Sequence, residues 1–244
     1  MNALLVRVAA DMSPGGGGFN GPIDIATGAF AYIPIPETKP FHNEMATPYS
    51  SLKPKISSSP WPLPRQVLRM HMHLDPDFAN LTYGDQGQRA RRIADQISKN
   101  DLLVFYAGLR STLPQTDLVY AIIGLFVVHE IVLATRVPRA RWHENAHTRR
   151  KLERGADDIV VRGKKGPSGR LRHGIPIGSY RHPRDGRHKG KSYRVQPELL
   201  SIWGGLSIAD GFIQRSAYLP AFASADRFYS WFLAQEPEVI AANN

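Results

Sequence analysis

Residues 98–128 read SKNDLLVFYAGLRSTLPQTDLVYAIIGLFVV. Two apolar runs, residues 102–106 and 120–128, rich in Val, Ile, Phe and Tyr, flank a polar loop that holds Arg110, Ser111, Thr112 and Gln115. With the turn-forming pair Asn100 and Asp101 ahead of the first run, this composition predicts two buried strands joined as a hairpin. Tyr106, Gly108 and Arg110 leave the first strand together, which offers an aromatic face, a place for backbone to approach a ligand, and a fixed positive charge. The plainer reading of the same residues is a core hairpin with a solvated loop.

Around this hairpin, a chain of 244 residues with 42% hydrophobic content is long and apolar enough to bury a sizeable core, and it is read as a single globular domain over residues 1–244. The longest apolar run is about half of what a membrane-spanning helix needs, so no membrane partner is expected. The start, MNALLVRVAADMS, has neither a basic leader nor a long apolar stretch and does not read as a secretory signal. The absence of cysteine excludes disulfides, thiolate zinc sites and a catalytic thiol, and fits a cytoplasmic protein.

The charge is concentrated. Residues 136–194 hold 18 Lys and Arg against 5 Asp and Glu, an excess larger than the whole chain's formal charge of +10. Cations interleaved with Gly, Pro, Ser and His suit a polyanion, because they release the counterions condensed on phosphates. Trp142, His143, Asn145 and His147 in the same segment add groups that stack on or hydrogen-bond to bases, so nucleic acid is the expected partner, DNA ahead of RNA. The part around residues 181–191 reads as a flexible arm.

Upstream, residues 4–9 predict a first strand, ended by Asp11 and the run Gly15, Gly16, Gly17, Gly18, which matches no nucleotide-binding loop. Residues 21–37 read as two short strands about Thr27 and Gly28. Residues 38–64 form a Pro/Ser-rich irregular excursion, expected as a surface loop or a lid. His71, His73, Asp75 and Asp77 then fall within seven residues, a density that suits general acid–base work or a divalent ion such as Mn, Fe or Zn, although no distant ligand is identifiable. Residues 86–97 show an amphipathic helix with Ala90, Ile93, Ala94 and Ile97 on one stripe. His143, Glu144 and His147 match the zinc-peptidase pattern HExxH literally, but the basic flanks lack the apolar face and the third ligand that such a site needs. Residues 225–233 predict a last helix, capped by Ser224 and burying Phe228, Trp231 and Phe232.

The segments ADMSPGGGGFNGPID, FAYIPIPE, HLDPDF, TYGDQGQ, NDLLVFYAGLR and IIGLFVV together resemble the nucleotide-modification-associated domain family of the third type, over residues 4–232. The resemblance implies company with DNA base-modification enzymes, which become expected partners, and carries over no catalytic residue. More locally, KNDLLVFYAGL followed by IIGLFVV is similar to the strand pair of PUA-like barrels such as EVE and YTH modules, with Asn100 in place of their usual Gly. That likeness implies an α+β fold with a mixed, partly barrel-like sheet, flanking helices and long irregular loops. Its modules hold a modified base in an aromatic-lined pocket.

Two functions remain open on these residues. In the first, the chain binds a base or nucleotide of a modification system: Tyr83, Gln86, Tyr106, Arg110, Asn145, His147, Arg149, Arg150, Trp203, Gln214 and Arg215 contact the nucleic acid, and the basic segment holds phosphates. In the second it is an enzyme on a nucleobase or nucleotide, with Asp11, Asp75 or Asp77 as general base or metal ligand and His73 as proton carrier. The sequence names no cofactor.

Overall fold

Both strands of the expected hairpin form, and both outrun their apolar cores: the first spans Leu102–Ser111 and the second Leu118–Leu133, paired antiparallel. The structure is a computed structural model that describes residues 1–13, 15–56, 62–113, 118–184, 190–213 and 218–244. In chain order its elements are β1 (Ala3–Arg7), β2 (Pro22–Ile23), β3 (Ile35–Pro36), the one-turn helix α1 (Lys53–Ile56), β4 (Met72–His73), β5 (Thr82–Asp85) and α2 (Gly87–Gln96). The hairpin strands are β6 and β7. There follow the one-turn α3 (Ala146–Arg149), β8 (Ile159–Gly163), β9 (Gly169–Arg181), β10 (Ser192–Val195), α4 (Pro197–Trp203), α5 (Ala225–Leu233) and β11 (Val239–Ile240).

Nine strands form one mixed sheet, and β3 pairs with β4 apart from it. β1 and β2 run parallel to β6, while β7 is antiparallel to β6, β8 and β9. This is the α+β architecture expected from the sequence. The sheet is not a closed barrel: the path from β1 through β6, β7 and β8 ends at β5 with no ladder from β5 back to β1 among the described strands. The outer edge of β1 is met instead by an irregular segment: Leu5 N–H donates to Pro220 O at 2.8 Å and Phe222 N–H to Ala3 O at 3.0 Å.

Alternation along β6 builds two cores. Leu103, Phe105, Ala107 and Leu109 join Ala90 and Ile93 of α2 in one, and Leu102, Val104 and Tyr106 join Trp203, Phe228 and Phe232 in the other. β7 keeps the pattern up to Gly124, where its registers with β6 and β9 shift, and beyond it the parity inverts so that Phe126 and Val128 face the first core. A Cβ at Gly124 would lie 2.4 Å from Phe78 Cε1 and 2.8 Å from Gly169 O, so only glycine lets Phe78 reach the sheet. Burying such a phenylalanine fully contributes roughly 1.5–3 kcal/mol.

The amphipathic stripe of α2 is buried at Ala90 and Ile93 and continues to Ile97, although Ala94 is exposed. Ser224 caps α5 as expected, accepting from Arg227 N–H at 3.4 Å, and Phe228 and Phe232 are buried with Trp231 packed partly against them. The Pro/Ser-rich excursion is more than a surface loop: Tyr49, Leu52, Ile56 and Leu63 form a third apolar cluster with Phe19, Ile33 and Met72. The chain's end is tucked in as well. Asn244 bonds both backbone groups of Tyr32 at 2.8 Å, and Asn243 accepts from Phe78 N–H at 2.7 Å while donating to Asp77 at 3.0 Å.

The basic segment is largely regular structure, supplying α3, β8, β9 and β10. Arg181, expected at the start of an arm, ends β9 and pairs with Asp210 at 3.0 Å, while residues 185–189 of that arm lie outside the described part. Among the described residues no helix is long and apolar enough to cross a membrane.

Candidate active site

β4, the turn that follows it, β5 and α3 bring three side chains together. Asp75 comes two residues after β4, in the cis peptide Asp75–Pro76. Its Oδ1 accepts from Gly84 N–H at 2.7 Å and from Asn145 Nδ2 at 2.9 Å, which turns Oδ2 toward two imidazoles. Oδ2 lies 3.9 Å from His73 Nε2 and 3.7 Å from His147 Nε2, and the two rings meet edge to face with centroids 4.9 Å apart. Asn145 places His147 too: as the N-cap of α3 it accepts from His147 N–H at 2.8 Å. One asparagine therefore orients both the carboxylate and the second imidazole.

Each histidine is held from behind by a carboxylate. His73 Nδ1 is 2.6 Å from Glu37 Oε2, and His147 Nδ1 is 2.7 Å from Asp158 Oδ1. Arg150 Nη2 also approaches His147 Nδ1 at 2.9 Å, but it donates to Asp158 and to Gln86 Oε1, the better acceptors. Both Nδ1 atoms are thus assigned as donors, and both Nε2 lone pairs face Asp75. Burial lowers His147 to about 4 against the opposing hydrogen bond to Asp158, so the ring is neutral at pH 7. Burial likewise pushes Asp75 up to about 7, opposed by the neighbouring His73 and the hydrogen bond from Gly84 N–H. Glu37 and Asp158 go the other way. Burial raises each, but the hydrogen bonds from His73, and from His147 and Arg150, outweigh it and bring both to about 2.

Glu37, His73, Asp75 and His147 line a cavity of about 270 Å³. Its wall also carries Tyr83, Gln86 and the cations Arg7, Lys39, Arg89 and Arg150. Three of the four cations are engaged: Arg7 with Asp11 at 3.0 Å, Arg89 with Asp85 at 2.8 Å, and Arg150 with Asp158. Lys39 has no ion pair among the described residues. Thr38 and Lys39, at the start of the Pro/Ser-rich excursion, form part of the wall beside Glu37, so that segment does reach the site.

Of the residues singled out in the sequence, His73, Asp75, Tyr83, Gln86, His147 and Arg150 line this cavity. Asn145 supports it from behind. Asp77 and Arg149 form a buried ion pair beside it, with Asp77 also bonded to Asn80 and Asn243. Asp11 lies on the far side of Arg7, beside a smaller cavity of about 260 Å³, and the glycine run folds back onto it, Gly18 N–H donating to Asp11 O at 3.0 Å. His71 is exposed and packs edge-on to Phe41. Tyr106 and Trp203, expected around a base, are buried in the second core: strand alternation along β6 turns Tyr106 to that side, and Trp203 packs there from the end of α4. Arg110 is exposed at the end of β6, and the ring of Tyr120 rather than a ligand occupies the space over Gly108. Gln214 and Arg215 lie outside the described residues.

The HExxH match does not fold as a peptidase site. His143 and Glu144 end a 3-10 segment, Arg139–Glu144, and the Glu144 carboxylate is taken by Arg162 and Arg141. Glu37, Asp158 and Gly84 escaped the sequence reading. Gly84 carried a usable signal, since glycine inside a strand marks close approach. A Cβ there would sit 2.3 Å from His147 Cδ2 and 2.5 Å from Asn145 Oδ1.

The fold is an open mixed sheet with flanking helices, and it carries a cavity that gathers two imidazoles and a carboxylate. The chain belongs to the family described as nucleotide modification associated domain 3, whose profile matches residues 2–208. That membership associates it with a nucleotide-modification system. Comparisons with curated proteins and with solved structures returned no match.

Proposed function

We propose that this protein is an enzyme of a nucleotide-modification system that takes a nucleobase or nucleotide into the cavity and acts on it at His73, Asp75 and His147. The observation that carries the reading is the convergence of both Nε2 atoms on Asp75 Oδ2 at 3.9 and 3.7 Å within a cavity large enough for a base. A passive base reader is less well supported, because of the aromatic residues assigned to a base pocket only Tyr83 lines the cavity, and its hydroxyl is committed to Asp85 and Arg89. Lys39 is suited to a phosphate of the ligand, and the basic segment to the rest of a nucleic acid, DNA before RNA.

The test is to incubate the protein with duplex DNA, single-stranded DNA, RNA and free nucleotides and to look for altered nucleosides by mass spectrometry. An altered nucleoside is expected with the wild type and a loss of at least 100-fold in rate with His147→Ala, within the range for removal of an acid–base group. Lys39→Ala is expected to raise KM with kcat little changed. Binding of a base with no chemical change, undiminished in His147→Ala, would replace the enzyme with a reader.

A further inference from the structure

We infer that His73 Nε2, His147 Nε2 and Asp75 Oδ2 are the protein ligands of one first-row divalent metal ion, with its remaining coordination positions open to the cavity. The inference deepens the reading of the cavity as an active site, and its own basis is the geometry of the three atoms. All three lie within 4.8 Å of one another. Both Nε2 atoms are acceptors as assigned, and their separations of 3.9 and 3.7 Å from Oδ2 are too long for a hydrogen bond. Their side chains are only 10%, 4% and 5% exposed. Lone pairs gathered in so dry a place repel one another, and a cation among them removes that cost. Metal–ligand bonds of about 2.1 Å put neighbouring ligand atoms roughly 3.0–3.4 Å apart, so side-chain rotations that bring each Nε2 about half an ångström closer to Oδ2, and the two Nε2 atoms up to about 1.8 Å closer to each other, complete the site.

The outer groups match what a metal demands of its ligands. Glu37 and Asp158 each fix a ring through Nδ1, which sets the tautomer, aims Nε2 and strengthens it as a donor. Gly84 N–H and Asn145 hold the other oxygen of Asp75, leaving Oδ2 for coordination. Two imidazole nitrogens with one carboxylate oxygen select Mn, Fe or Zn over Ca or Mg. Three protein ligands beside an open cavity are the arrangement of a catalytic ion, to which water or substrate binds, rather than of a closed structural one.

The experiment uses the full chain without a His tag, stripped with a chelator, dialysed and titrated with Zn(II), Mn(II) and, without oxygen, Fe(II). Elemental analysis is expected to find one ion per chain, and the Tm is expected to rise with metal concentration. His147→Ala and Asp75→Asn are expected to abolish the stoichiometric ion. Glu37→Gln, which keeps a hydrogen-bonding side chain behind His73, is expected to keep the native circular dichroism while weakening affinity about 10–100-fold. Absence of a stoichiometric ion together with an unchanged Tm for every metal overturns the inference, as does an ion that persists undiminished in His147→Ala. The two readings fail separately. Metal bound without altered nucleosides defeats only the enzyme, and altered nucleosides from metal-free protein defeat only the metal.

Discussion

At the scale of single residues, the site depends on one missing side chain. Gly84 stands in β5, where its N–H holds Asp75 and its Cα passes under the ring of His147. Gly84→Ala places a methyl 2.3 Å from that ring, so His147 or the strand must move. The expected result is a stability loss of about 1–3 kcal/mol in urea denaturation, with metal affinity and nucleoside turnover lost together. Retention of both functions by a stably folded Gly84→Ala protein would show that the ring has room to shift. Asn145 works the same way by positive means, bonding Asp75 and His147 at once.

At the scale of elements, the hairpin of β9 and β10 is pinned by a charge cluster. Arg181 from β9 and Arg194 from β10 each reach Asp210 at 3.0 Å, on a turn where Asp210 adopts φ +47°. Burial raises the Asp210 carboxyl, but the hydrogen bond from Arg181, the Arg184 N–H and both guanidinium charges hold it below its usual value of 3.8. A carboxylate whose pKa is lower in the folded state contributes stability that is present above the unfolded pKa, about 3.9, and is lost as pH falls through the folded pKa. Asp210→Asn, tolerated at positive φ, is therefore expected to destabilise the protein at pH 6 and to differ less from wild type at pH 3. Unfolding curves at the two pH values check this, and a constant difference would remove the electrostatic explanation.

At the scale of the whole molecule, the basic charge counted in the sequence overstates what is free to meet a polyanion. Of the 18 cations at residues 136–194, at least eight are in ion pairs within the fold: Arg141, Arg149, Arg150, Arg162, Arg172, Arg181, Arg184 and Arg194. With at most ten left in that segment, and Lys39 beside the cavity, the slope of log K against log salt for duplex DNA is expected to be no steeper than about −10. A steeper slope in a binding titration would mean that these ion pairs open on binding or that cations elsewhere in the chain join the contact. Arg149 and Arg150 in particular are only 9% and 4% exposed, and serve the site's framework.

The features legible before folding were local ones. The apolar runs of β6 and β7, the stripe of α2 and the capped, aromatic α5 were legible because periodicity and capping act over a few residues and need no knowledge of the rest of the chain. The cluster at residues 71–77 was legible as chemistry, and His147 as a polar group in a basic segment. Their union was decided only by the tertiary structure. Asn145 and Asp75 stand 70 residues apart and Glu37 and His73 stand 36 apart, so tertiary packing, with β3–β4 pairing for the second pair, makes them neighbours rather than spacing. Sheet pairing also turned Tyr106 into core, since alternation gives each strand two faces and only the packed sheet says which one meets the cavity, while Trp203 was buried on that side by the packing of α4.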